Sequence, residues 1–183
     1  HSAGSWEDLR TKRIFPAYDE GKVSLADLHA LLRRTEGFGR QHVFLFKCPP
    51  ERAALMIAEE RIQSVLQENA IAGLGGDPLV VDLPEQPTIV DVQFVAVDGV
   101  RTVSFKEVEK RTSRKLTSEV NDRAAMTLTK VYTYEHQRAI NVVRLWENGL
   151  LEVRIASRDS ATKYKEDLAS FLYRLRAVLP RSE

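Results

Sequence analysis

Charged side chains that should face a hydrophobic core are the first places where this sequence could do chemistry. Asn148-Gly149 is a strong hairpin signal, because both residue types accept positive φ. A two-residue turn there pairs Trp146 with Leu151, Arg144 with Val153 and Val142 with Ile155, so Arg144 falls among core-facing apolar neighbours. Asp98-Gly99 gives a second hairpin, pairing Phe94 with Val103, Val92 with Phe105 and Val90 with Glu107. Glu107 then also lies on the core side. A buried ion has to be paired or hydrated, because an unpaired one costs several kcal/mol. Arg144, Glu107 and Trp146 are therefore candidate lining for a pocket, with Arg144 gripping an anionic ligand. The plainer reading lets Arg144 reach water at the sheet edge, and lets a bulge after Phe105 turn Glu107 outward.

The second candidate chemistry is phosphate binding. Lys110, Arg111, Arg114 and Lys115 sit within six residues, interleaved with Thr112 and followed by Thr117 and Ser118. Arg138, Arg154, Arg158, Lys163 and Lys165 could extend the set. Tyr132, Tyr134 and His136 alternate along one side of a strand and could stack on bases or on a ligand; alternating with Val131 and Thr133, they read equally as an ordinary half-buried stripe. Residues 1–100 carry 10 basic and 15 acidic side chains, whereas 101–183 carry 17 and 11. Such asymmetry speaks to partners and not to fold. Against nucleic acid, the whole chain has a formal net charge of only +1, and Glu107, Glu109 and Glu119 flank the basic cluster, which reads equally as a solvated loop.

Catalytic signatures do not emerge. Glu20-Gly21-Lys22 lacks the carboxylate on a preceding strand that a metal-dependent nuclease would need. Gly73-Leu74-Gly75-Gly76 follows a helix and precedes no Lys-Ser/Thr, so it is not a phosphate loop. No Gly-x-Ser-x-Gly elbow occurs. His29, His42 and His136 are not spaced as metal ligands, and Cys48 reads as a small buried hydrophobe. No catalytic residue, metal or cofactor is expected. One cysteine fits a reducing, cytoplasmic setting, and no apolar run reaches the ~20 residues a membrane span needs.

The elements that must position these residues follow from periodicity. With 183 residues, 43% hydrophobic and 29% charged, the chain is expected to fold as one globular α+β domain over 40–183 behind a helical lead-in over 1–39. It begins at His1, so 1–5 is set aside as foreign or internally cut, and the chain is expected to be a piece of something larger. Ser5 with Asp8, and Ser24 with Asp27, are helix-capping pairs; Leu25, Leu28, Leu31 and Leu32 follow the second, and Gly37 and Gly39 stop it. His42–Phe46 predicts a buried strand, and Pro49-Pro50 opens a helix over 51–69 whose apolar face is Leu55, Ala58, Ile62, Val65 and Leu66. Strands are predicted over 88–97, 101–110, 127–135, 139–147 and 150–157, with a connection through Thr117–Ala125 and a reversal at His136-Gln137. A helix over 161–179, capped by Ser160 and ended by Pro180, carries the stripe Tyr164, Leu168, Phe171, Leu172, Leu175, Val178 and Leu179. Lys163, Lys165, Glu166, Asp167, Arg174 and Arg176 fill its outer face.

The expected architecture is a curved antiparallel sheet of about six strands with two helices on one face and the other face free. Its element order is similar in topology to helix-grip and TATA-binding-protein-like folds. The expected function is a non-catalytic binding or assembly module, part of a larger protein or complex. It would present its sheet face, edge strand or basic loop to a protein partner or to a second copy. One alternative is a small-ligand binder or enzyme with a pocket between sheet and C-terminal helix. The other is nucleic-acid binding through 110–115. No membrane partner is expected.

Overall fold

The computed structural model describes residues 5–36, 39–69, 83–157 and 164–179. The expected features at Gly37, Gly73–Gly76, Arg158, Ser160, Lys163 and Pro180 lie outside the described residues. The chain divides into two compact units, His1–Gly39 and Arg40–Glu183.

In the first unit, α1 (Trp6–Leu9) runs through a π-helical turn at Arg10–Ile14 into α2 (Phe15–Asp19). Ser5 Oγ accepts from the Asp8 N–H at 3.0 Å. Gly21, at φ +70°, turns the chain toward α3 (Leu25–Glu36). The capping box ahead of α3 is reciprocal. The Asp27 N–H donates to Ser24 Oγ at 3.1 Å, and Asp27 Oδ2 accepts from the Ser24 N–H at 2.9 Å. The Ser24 hydroxyl also donates to Asp27 Oδ2 at 2.7 Å, and this bond, followed by the one from the Ser24 N–H, holds the Asp27 carboxyl below its ordinary pKa.

The second unit contains one open antiparallel sheet of five strands in the order β1-β5-β4-β3-β2. The strands are β1 (Gln41–Lys47), β2 (Thr88–Val97), β3 (Val100–Asp122), β4 (Thr127–Trp146) and β5 (Leu150–Ala156). Helices α4 (Pro50–Met56), α5 (Glu59–Glu68) and α6 (Tyr164–Leu175) complete it. The core joins Val92, Val103, Phe105, Val143, Leu145, Val153 and Ile155 of the sheet to Ala53, Ile57, Ile62, Leu66, Phe171 and Leu175 of the helical segments.

Several expectations need correcting. β1 is an edge strand and not a buried one: Val43, Leu45 and Phe46 are exposed, and Phe44 faces the core. The helix expected over 51–69 breaks at Ile57-Ala58, which puts Ala53 and Ile57 inward and leaves Leu55 exposed. The two strands expected over 127–135 and 139–147 are one strand, and the expected connection at 117–125 is mostly strand, so the described residues form a sheet of five strands. The second sheet face is not uniformly free. Val90, Val108 and Val142 are buried there, as are Asp91 and Lys106, 3.9 Å apart.

The two hairpins test the register. At Asp98-Gly99 the expected pairs Phe94–Val103 and Val92–Phe105 are present, and a bulge between Ile89 and Asp91 then sets Ile89 opposite Glu107. At Asn148-Gly149 the turn is one residue longer. The Gly149 N–H bonds back to the Trp146 carbonyl at 2.9 Å, Gly149 sits at φ +88°, and Leu145 pairs with Leu151. This is a three-residue turn with glycine in the left-handed position. A one-residue slip moves every side chain to the opposite face. Val143 and Leu145 therefore point into the core, while Arg144 and Trp146 point away from it.

Candidate functional site

β3 and β4 outrun the sheet. β5 ends at Ala156 and β2 begins at Thr88 opposite Val108, so beyond Arg111↔Gln137 the two strands pair, among the described residues, only with each other. They continue to Asp122↔Thr127, forming a two-stranded arm roughly 40 Å long at about 3.4 Å per residue. Every residue from Arg114 to Gln137 is exposed. Threonine, valine and tyrosine are frequent along it, which favours extended backbone without a core to pack on. At the tip, Asp122 Oδ1 accepts from the Ala124 and Ala125 N–H groups, both at 2.9 Å. Met126 closes the turn at φ +52° and is 92% exposed.

The register assigns the faces. One face carries, from root to tip, the pairs Lys110↔Arg138, Thr112↔His136, Arg114↔Tyr134 and Leu116↔Tyr132. A bulge then intervenes, with Thr117 Oγ1 donating to the Val131 carbonyl at 3.0 Å. Beyond it the same face continues with Glu119↔Lys130, an ion pair at 3.2 Å, and Asn121↔Leu128. The Arg114 guanidinium lies over the Tyr132 ring, 4.8 Å from its centroid. His136 Nδ1 is 3.0 Å from Thr112 Oγ1. Lys115 lies on the opposite face, opposite Thr133, with Val120 and Val131 nearer the tip.

A buried polar cluster fixes the arm's root. Glu107 is fully buried, and Arg174 of α6 grips it with Nε at 2.5 Å and Nη2 at 2.7 Å. These bonds raise the Arg174 pKa above its ordinary value against the opposing effect of burial. Asn141 donates to Glu107 Oε1 at 3.1 Å and accepts from the Ala156 N–H at 3.1 Å. Arg111 pairs with Glu109 and donates to the Ala156 carbonyl at 2.5 Å. Four elements are thus tied together where the arm leaves the sheet. An open cleft of about 660 Å³ lies beside this cluster, lined by Glu107, Arg174, Tyr173, Ile89, Pro87 and Val178 among others.

The residues singled out from sequence separate accordingly. Glu107 lines the cleft; Arg144 and Trp146 do not, being on the other sheet face. Arg144 sits opposite Glu152, and burial followed by the charge of Arg154 lowers its pKa. Of the basic set, Lys110, Arg114 and Arg138 share the tyrosine-bearing face, and Lys115 takes the reverse. Arg111 is held at the root, and Arg154 pairs with Glu152 within β5. Arg174, expected on the outer face of its helix, is instead the partner Glu107 required. The signal for it was Glu107 itself, since a core-side carboxylate implies a cation within reach.

Among the described residues, no three His, Cys, Asp or Glu side chains converge as a metal site, and no helix is long and apolar enough to cross a membrane. Compared with protein-family models, curated proteins and solved structures, the chain matches none.

Proposed function

We propose that this chain is a non-catalytic binding module whose contact element is the arm Arg111–Gln137. The observation that carries the reading is the exposure of every residue from Arg114 to Gln137 on a ribbon that, among the described residues, pairs only with itself. An isolated two-stranded ribbon is marginally stable in water, and three strands or a packed face are normally needed. Projecting such a ribbon some 40 Å from a sheet makes sense when a partner covers it. The polar cluster of Glu107, Asn141, Arg111 and Arg174 supplies a rigid root from which the arm is aimed.

A second reading is favoured by the cleft beside α6. Its largely apolar lining, with Arg176 beside the Glu107–Arg174 pair, suits a small organic ligand. Glu107 and Arg174 already satisfy each other there, which makes it the weaker of the two.

A photo-crosslinking amino acid separates them. Placed at Tyr134 or Met126, which are 70% and 92% exposed on the arm, it should trap a macromolecule in cells of the source organism. Placed at Tyr173, which is 71% exposed at the cleft, it should trap none. Adducts at Tyr173 with none on the arm would reject the arm as the contact element.

A further inference from the structure

We infer that the tyrosine-bearing face of the arm binds single-stranded nucleic acid, by stacking bases on Tyr134 and on the Arg114–Tyr132 pair while Lys110, Lys130 and Arg138 approach phosphates. This rests on the reading of the arm as the contact element. Charge complementarity points to a polyanion. The tyrosine-bearing face carries Lys110, Arg114, Lys130 and Arg138 against one acidic side chain, Glu119, a net of +3 within a chain whose total is +1. The excess charge of the molecule is therefore concentrated on its most exposed element.

The distribution of apolar groups argues against a protein partner. The fully buried core of a protein interface is depleted of charge and more apolar than the surrounding surface. Here the bulge at Thr117 splits the apolar residues, with Leu116 and Leu128 on one face and Val120 and Val131 on the other. Neither face has a continuous apolar stripe, and cations stand among the aromatics.

The aromatic spacing argues for unpaired bases. Tyr132 and Tyr134 are two residues apart on one strand, about 6.8 Å along the arm. An extended single strand reaches about twice the 3.4 Å rise per nucleotide of a duplex strand, so successive splayed bases match that step. Tyr134 is 70% exposed and offers a ring face, and the Arg114 guanidinium over Tyr132 offers a second flat cationic surface. A duplex keeps its base faces hidden and could use only the cations.

The test is fluorescence anisotropy with labelled oligothymidine and oligouridine of about 12 nucleotides, and with a duplex of the same length, between about 50 and 200 mM salt. Single strands should bind at least about tenfold more tightly than the duplex. Tyr134→Ala should weaken single-strand binding by about tenfold and leave the salt slope unchanged, because it removes a stack and no charge. A Lys110→Ala, Lys130→Ala double variant should make the log–log slope shallower by about 1.4, at about 0.7 for each lost phosphate contact. Tyr173→Ala, on α6, should change nothing. Glu119→Gln, which frees Lys130 from its ion pair, should strengthen binding. All these side chains are solvent-exposed or partly so, and an unchanged unfolding midpoint checks that each variant folds.

Absence of single-strand binding at the lowest salt overturns the inference, as does equal affinity for duplex or indifference to Tyr134→Ala. If oligonucleotides fail while photo-crosslinks at Tyr134 trap a protein, only the nucleic-acid assignment falls. If the arm positions trap nothing as well, the arm reading falls with it.

Discussion

Gly149→Ala should lower the unfolding free energy by about 3 kcal/mol or more. Two penalties coincide. Gly149 occupies φ +88°, where an L side chain is strained. Its added Cβ would also stand 2.1 Å from the Cys48 carbonyl oxygen, a backbone atom that cannot rotate away. The same loop is bonded to the end of β1, since the Cys48 N–H donates to the Gly149 carbonyl at 2.9 Å. Relieving the clash therefore pulls the edge strand from the sheet. Gly99→Ala is the matched control. Gly99 has a similar φ of +78° but open space around its Cβ position, so its cost should stay near about 1 kcal/mol. Urea unfolding of both variants measures the difference, and equal losses would contradict the close approach at Cys48.

Arg174→Met should cost about 3 kcal/mol, because it leaves the Glu107 carboxylate buried without its cation. Glu107 is 0% exposed and would keep only the Asn141 hydrogen bond. Adding Glu107→Gln to Arg174→Met should restore most of the loss. A neutral amide is far cheaper to bury than a lone charge and can still bond Asn141. The same pair of variants should leave oligonucleotide affinity nearly intact if the chain stays folded, since neither residue lies on the arm. A loss below about 1 kcal/mol for Arg174→Met would mean that the pair does not hold α6 to the sheet.

Much of the body could be read from the sequence for identifiable physical reasons. The capping box at Ser24 and Asp27, the first hairpin at Asp98-Gly99 and the stripe Tyr164, Phe171, Leu175 and Val178 each combine a turn or cap residue with a clear apolar period. All three are present. Glu107 emerged as a core-side carboxylate by register counting alone. The second hairpin went astray because Asn148-Gly149 suits both a two-residue turn and the end of a three-residue one, and that single residue decides the face of Arg144.

The arm was missed for a different reason. No glycine or proline occurs between Gly99 and Gly149, so nothing in the sequence punctuates the chain at the true reversal. The arm also buries almost nothing, and periodicity reports burial. Its one available signal was the tyrosine, threonine and valine content of 127–134 facing 112–120. The basic stretch 110–115 stands out in the sequence for its charge, and it belongs to a strand and not to a loop.

The most direct measurement uses a chain in which Ser113–Glu135 is replaced by Asn-Gly, closing the hairpin at the pair Thr112↔His136. Since the removed segment contributes no core residue, this shortened chain should unfold cooperatively with a midpoint within a few degrees of the full chain. It should also lose measurable affinity for single-stranded oligonucleotides. A shortened chain that folds and binds as tightly as the full one would show that the arm is not the contact element.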